Sequence, residues 1–357
     1  MVFYNRLWNI LPGFMRSTAR KLSQRSCISL SLPEAFTFDL TDRCHSRCLT
    51  CTKWRTPLEV AEKELTTQQW KEVILVMKEW LGEFHFIFAG GEPFLRNDIF
   101  ELCKFAHENS VQCSVISNGF GFNPLIQKII TASFKQILIS LNGNKAKTHD
   151  QTRGVEGAYC KTTDFIRKII KVRKPPSDGG PELVINSILM PFNCEEAVDL
   201  VKWVKSEGLD GIRFQPLDPP GCFHPYPVSS SYLDSPKGAG GEWYLKNFEE
   251  SAKQRIIPVI NQLIKLKELG YPILNSTESF RRIEEYYTNF DKFRRVCHIG
   301  VVWFNVDPYG NVRFCFDMPP IGNILKTPPA KLYFSKRAVE MRRRIKDCRR
   351  KCHWAVF

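Results

Sequence analysis

Phe36-Thr-Phe-Asp-Leu-Thr-Asp-Arg-Cys44-His-Ser-Arg-Cys48-Leu-Thr-Cys51 is the stretch from which the rest of this sequence is read. The apolar run Phe36–Leu40 predicts a strand, and a C-x3-C-x2-C triplet follows it directly. That spacing lets three thiolates of one loop converge on one face of an iron–sulfur cube, leaving the fourth iron without a protein ligand. An open metal position can chelate a substrate or cofactor, whereas a fully ligated one carries electrons or holds a fold. Zinc fits less well: it prefers four closed ligands in two close pairs, and no fourth Cys or His stands at pair spacing. A disulfide framework does not suit a chain of 357 residues with 13 cysteines, an odd number.

Outward from the loop, strands and helices alternate. Thr66–Leu81 predicts a helix capped by Thr66 or Thr67, with Trp70, Val73, Ile74, Met77 and Trp80 at helical spacing. His85–Ala89 predicts a strand ending in Gly90-Gly91-Glu92-Pro93, Asp98–Asn109 a helix, and Val111–Ser117 a strand. Residues 124–132 form a short helix and Gln136–Leu141 a strand ending in Asn142-Gly143. Thr162–Val172 is a helix, Glu182–Met190 a strand, Glu196–Glu207 a helix and Gly211–Gln215 a strand. Six strands separated by helices give an α/β class with a parallel sheet, which right-handed crossovers curl into a partial (β/α)6 TIM-like barrel. Chemistry there sits at the carboxyl ends of the strands. The cysteine triplet, Gly90–Pro93, Ser117-Asn118-Gly119 and Ser140-Leu141-Asn142 all fall at such ends.

Between about residues 34 and 216 these motifs resemble the radical S-adenosylmethionine (SAM) superfamily, with His149-Asp150-Gln-Thr-Arg153-Gly154 adding to the match. The resemblance implies that Cys44, Cys48 and Cys51 ligate a [4Fe–4S] cluster whose open iron takes the amino and carboxylate groups of SAM. It implies reductive cleavage to a 5′-deoxyadenosyl radical, a reductant such as flavodoxin or ferredoxin, and hydrogen abstraction from a peptide or small-molecule substrate. Gly90, Gly91, Glu92 and Pro93 then receive the ammonium group, glycine allowing close backbone approach. Ser117, Ser140 and Asn142 stand along the methionine portion, and Asn186 is placed to reach the ribose. Arg153 suits either the methionine carboxylate or a structural acid. Two departures concern the SAM pose: Thr50 stands where the family commonly has an aromatic residue, and Asn142 where it commonly has Asp.

The tail holds a second constellation. Cys297 and Cys315 flank Phe304–Phe314, a hairpin through Asp307-Pro-Tyr-Gly-Asn311. Cys348 and Cys352 follow at C-x3-C spacing. This resembles the twitch domain, a short relative of the SPASM domain of peptide-maturing enzymes, and implies one auxiliary [4Fe–4S] cluster; structural zinc in the same four positions is the alternative. Cys103, Cys113 and Cys160 sit in apolar contexts as buried bystanders, while Cys27, Cys194 and Cys222 give no signal. The expected organisation is a basic N-terminal segment (1–33), the barrel (34–216), an irregular and helical lid and connector (217–295), and the auxiliary-cluster domain (296–357).

Composition, at 43% hydrophobic and 25% charged residues, is that of a soluble globular protein in a reducing, cytoplasmic setting. The net charge of +14 lies at the ends. Residues 1–33 carry five cations (Arg6, Arg16, Arg20, Lys21, Arg25) and no acid. Residues 331–351 carry ten cations against Glu340 and Asp347. Phe3, Tyr4, Leu7, Trp8, Ile10, Leu11, Phe14 and Met15 interleave with the N-terminal cations, which suits peripheral attachment to an anionic membrane surface or an organelle transit peptide. A catalytically silent, membrane-docked iron–sulfur electron carrier would lack the Gly90–Pro93 turn. A zinc-containing nucleic-acid-binding protein would need a recognition helix or stacking motif, so no nucleic acid is expected.

Overall fold

The alternation of apolar positions in the predicted strands is realised as one nine-stranded sheet. The computed structural model describes residues 13–56, 60, 62–218, 246–289, 297–348 and 352. Strands β1 (Ala35–Thr41), β2 (His85–Gly90), β3 (Gln112–Ser117), β4 (Phe134–Ser140), β5 (Glu182–Ile188) and β6 (Gly211–Gln215) pair in sequence order, all parallel. This is the expected α/β architecture with a parallel, TIM-like sheet. Helices α2 (Thr67–Leu81), α3 (Ile99–Glu108), α4 (Ile126–Thr131), α5 (Ala146–Arg153), α6 (Ala158–Val172) and α7 (Ala197–Ser206) alternate with the strands. Helix α2 starts on a capping box between Thr66 and Gln69 and buries Trp70, Val73, Ile74, Met77 and Trp80, the predicted stripe.

Three features depart from expectation. Helix α5 was not predicted; its sequence, Ala-Lys-Thr-His-Asp-Gln-Thr-Arg, has almost no apolar stripe, and it is held by its position instead. Helix α6 begins four residues before Thr162. Most consequentially, the tail hairpin joins the barrel sheet. Strand β7 (Trp303–Val306) pairs parallel to β1, with Ala35 opposite Trp303 and Phe38 opposite Val306. Strands β8 (Asn311–Arg313) and β9 (Gly322–Asn323) then continue antiparallel. The β7–β8 hairpin itself is as predicted.

Beyond β6, α8 (Glu250–Glu268) and α9 (Thr277–Thr288) close that edge. Tyr286 and Tyr287 of α9 are fully buried, and their hydroxyls donate to the Leu217 and Leu189 carbonyls at 2.7 Å each. The proline-rich stretch read as a lid, 216–242, lies almost wholly outside the described residues, as does Cys222. The described part of the N-terminal segment is helix α1 (Gly13–Ser26), which leaves Phe14 73% exposed beside Arg16, Arg20, Lys21 and Arg25. No described helix is long and apolar enough to cross a membrane. In the tail, α10 (Ile299–Val302), α11 (Pro329–Tyr333) and α12 (Lys336–Lys346) pack around the buried Tyr333 and Arg342.

Candidate active site

The cysteine loop leaves the carboxyl end of β1 and is fastened from four directions. The Trp54 indole donates to the Cys51 and Cys48 carbonyls at 2.8 and 3.3 Å. Arg47 donates to the Cys44 carbonyl at 3.0 Å. From α5, the carbonyls of Arg153 and Thr152 accept the Arg47 and Leu49 amides at 2.9 and 3.1 Å. Gly154 ends α5 at φ +63°, where a Cβ would fall 2.3 Å from the Arg47 carbonyl oxygen, so glycine fits both the turn and the close approach. Beneath the loop, the buried Lys53 ammonium bridges Asp39 and Asp42, at 2.9 Å from each. Burial pushes the Lys53 pKa down, but the two carboxylates outweigh it and raise the pKa above the ordinary lysine value.

The turn after β2 meets this loop backbone to backbone. The Gly91 amide donates to Thr41 at 2.6 Å and the Glu92 amide to Arg43 at 2.9 Å. A Cβ on Gly91 would stand 2.3 Å from the Arg43 carbonyl, which is why the position is glycine. Glu92 is buried and turned into the protein: its carboxylate accepts from Ser117 Oγ, the Phe94 amide and the Asn118 amide. Burial raises its pKa to about 7 against those hydrogen bonds and the Arg153 charge. It thereby ties the turn to the end of β3.

A cavity of about 280 Å³ opens at this rim. Cys44, Cys48 and Cys51 line it together with Gly90, Gly91, Ser117, Ser140, Arg153 and Asn186, nine of the twelve residues expected around the cluster and SAM. Ser140 and Asn186 stand opposite each other across β4 and β5. Glu92, Pro93 and Asn142 are not among the cavity's lining; Asn142 Oδ1 accepts the Ile188 amide at 3.1 Å, and its carbonyl accepts Asn193 Nδ2 at 2.6 Å. His45 turns aside onto the Phe120 ring, 4.4 Å between centroids. Sequence reasoning missed Asp39, Lys53, Trp54, Gln215, Asp218, Trp303 and Phe316, which also line the wall. An Asp inside the otherwise apolar Phe36–Leu40 was the available signal for the first.

The donor set fits an iron–sulfur cluster. The three thiols are free. Burial, with the charge of Glu92 near Cys44 and of neighbouring thiols, holds Cys44 at about 11 and Cys51 at about 12, so keeping these two as thiolates takes compensating positive charge such as iron supplies. Arg153, itself buried, aims one N–H at Cys48 Sγ, 3.6 Å away, and its Nε is buried with no hydrogen-bond partner. An unsatisfied buried guanidinium beside the thiols suits an anionic ligand.

In the tail, Cys297 and Cys315 are raised to about 11 and 12, burial again first, and each feels the charge of Cys348. Cys348 is exposed just past α12, and Cys352 is half-buried. Cys160 is exposed rather than buried, because it lies on the outer face of the first turn of α6. Cys103 and Cys113 are buried as expected, with sulfurs 3.2 Å apart. Among the described residues, no three or more His, Cys, Asp or Glu side chains are grouped so as to hold a metal ion.

Comparison with known proteins extends this picture. The sequence model of the radical SAM superfamily matches residues 38–204. The AdoMet-dependent heme synthase of Methanosarcina barkeri is 28% identical over 177 residues, covering 49% of this chain and 48% of that protein. The PqqA peptide cyclase of Bradyrhizobium diazoefficiens is 26% identical over 190 residues, covering 52% of this chain and 47% of that protein. The chain therefore spans about half the length of the curated relatives it matches. Among solved structures, Streptococcus suis SuiB bound to S-adenosylmethionine has a TM-score of 0.64 at 13% identity, covering 91% of this chain and 71% of SuiB. SuiB bound to its precursor peptide SuiA gives 0.63 at 13% identity, covering 95% of this chain and 74% of SuiB. Native anSMEcpe with AdoMet and the Cp18Cys peptide gives 0.58 at 16%, covering 91% of this chain and 87% of that one. At these identities the structural likeness is one of fold.

Proposed function

We propose that this chain, whose residues 38–204 match the sequence model of the radical SAM superfamily, reductively cleaves S-adenosylmethionine and uses the 5′-deoxyadenosyl radical to modify a peptide. The observation that carries this is the single cavity shared by the three loop cysteines and six of the expected SAM contacts. Cys44, Cys48 and Cys51 would hold a [4Fe–4S] cluster, which when bound supplies an open iron for SAM and the electron that breaks its carbon–sulfur bond. Arg153 would pair with the methionine carboxylate, and the Gly90–Gly91 backbone would receive the ammonium. Ser117 and Ser140 would flank the methionine portion and Asn186 the ribose. Glu92, Pro93 and Asn142 serve this pocket indirectly, by fixing the turn and the end of β4. Asp39, Lys53, Gln215 and Asp218 give the remaining wall polar groups suited to peptide amides, and Trp303 and Phe316 give it aromatic ones.

A peptide is favoured by the relative that is a peptide cyclase and by two fold neighbours solved with peptides. The heme synthase relative keeps a small molecule as the second reading. Cys297, Cys315, Cys348 and Cys352 would hold an auxiliary [4Fe–4S] cluster. Anaerobic reconstitution, counting iron and sulfide and assaying 5′-deoxyadenosine, tests the reading. Protein that takes up iron yet forms no 5′-deoxyadenosine with a strong reductant would end it. Helix α1, with exposed Phe14, Met15 and Leu22 among four cations, would rest on an anionic membrane. Vesicle co-sedimentation that salt does not weaken, or that survives removal of residues 1–31, would remove that role.

A further inference from the structure

The outer wall of the cysteine loop carries a feature that SAM binding does not use. Trp54 stacks with two exposed arginines, the Arg55 guanidinium 4.7 Å from its ring centre and that of Arg47 5.4 Å. On its inner side the same residue lines the cavity and bonds the carbonyls of Cys51 and Cys48. Arg47 bonds those of Cys44 and Ser46, at 3.0 and 3.1 Å. In this Arg–Trp–Arg stack, the cysteine backbones are held by Trp54 and Arg47. Exposed Arg43 precedes Cys44, and exposed Lys161 adjoins Thr162, whose hydroxyl donates to the carbonyl of Asn118, the residue that bonds His45 of the loop. Arg43 lies 3.8 Å from the Glu64 carboxylate.

Ordinary solvated cations splay apart to lower their repulsion. Here two are drawn onto one indole that is fixed to the loop, which makes a rigid positive plate over the thiols. Unlike α1, the plate does not interleave its cations with large exposed apolar side chains, so it is not built to enter a lipid surface.

We propose that this plate docks an acidic one-electron carrier protein, which reduces the cluster held by Cys44, Cys48 and Cys51 across the wall formed by Trp54. The inference rests on the radical SAM reading and locates the reductant that reading requires. In each transfer the carrier is oxidised by one electron and the cluster reduced by one; no proton or group moves. Opposite charge would speed encounter, and added salt would slow it.

The test compares two reductants on the anaerobically reconstituted holoenzyme, with cluster reduction followed by stopped-flow absorbance. One is a flavodoxin hydroquinone, acidic and protein-sized. The other is photoreduced deazaflavin, small and neutral. Arg55→Glu should slow reduction by flavodoxin about tenfold at low salt and flatten its salt dependence, while Arg55→Lys keeps the wild-type rate. Deazaflavin-driven 5′-deoxyadenosine formation should be equal in all three proteins. If Arg55→Glu loads less iron, Lys161→Glu, outside the stack, replaces it with the same expectation. Equal flavodoxin rates in the charge-reversed and wild-type proteins would overturn the docking face. No 5′-deoxyadenosine from wild type with deazaflavin would instead overturn the radical SAM reading itself.

Discussion

The two cysteine groups are held in opposite ways. Cys44, Cys48 and Cys51 share one short loop, and neighbours from β2, α5 and Trp54 fix its backbone. Cys297, Cys315 and Cys348 come from separate segments of the tail, ahead of α10, past β8 and past α12. Closing a short loop costs little entropy, and the hydrogen bonds from Trp54, Arg47 and α5 meet that cost. Gathering ligands over longer spans costs more, so a metal there contributes to folding itself. The first site should therefore tolerate loss of its metal as a fold and fail only as a catalyst. The second should fail as a fold.

The largest effect expected is from Cys44, Cys48 and Cys51 all changed to Ala. 5′-Deoxyadenosine formation should vanish and iron should fall from about eight to about four per chain, with the thermal transition nearly unmoved. A large drop in melting temperature would erase the contrast between the sites. Next, Cys315→Ala with Cys348→Ala should remove the other four irons, approximately, and open the tail to limited proteolysis beyond residue 315, while SAM cleavage persists. Four irons plus one zinc in wild type would give the tail to structural zinc.

Arg153→Gln sharpens the first site alone. A lost charge-assisted contact costs about 1.5–3 kcal/mol, so SAM should bind roughly ten- to a hundredfold more weakly by equilibrium titration. The spectrum of the reduced cluster should also shift, since Cys48 Sγ loses a donor. Unchanged SAM affinity would make Arg153 a loop clamp only.

The smallest effect is a pH dependence beside that site. His149 Nδ1 accepts the Asn142 amide at 3.1 Å, and burial, with the Arg153 charge, holds its pKa well below 6.5. A base depressed in the fold stabilises above its unfolded value, and that stability is lost as pH falls below it, here below about 6.5, by up to about 1.4 kcal/mol per unit. Denaturant midpoints measured from pH 7 to 5 should fall more steeply for wild type than for His149→Gln. Parallel slopes would mean that His149 protonates without cost.

Much of the first site could be read from sequence because its residues sit where local patterns end: Gly90, Ser117 and Ser140 each close a strand whose apolar alternation is plain. Lys53 could not be read so, since only the fold shows that Asp39 and Asp42 lie within its reach. Helix α5 was hidden for the converse reason. It is polar throughout, and the position of Arg153 follows from bonds to a loop a hundred residues earlier. The tail hairpin was legible from its turn residues, but its union with β1 was not, because pairing partners far apart in sequence leave no periodic trace.

That union bears on how the chain is made. Asn305 of β7 bonds Thr37 of β1 across 268 positions. On a ribosome, β1 would pair with β2 early and then present a bare edge carrying Phe36 and Phe38 until β7 emerged. Such an edge invites pairing with other nascent chains. Expression of residues 34–216 alone should give aggregates, whereas extension past Val306 should restore solubility.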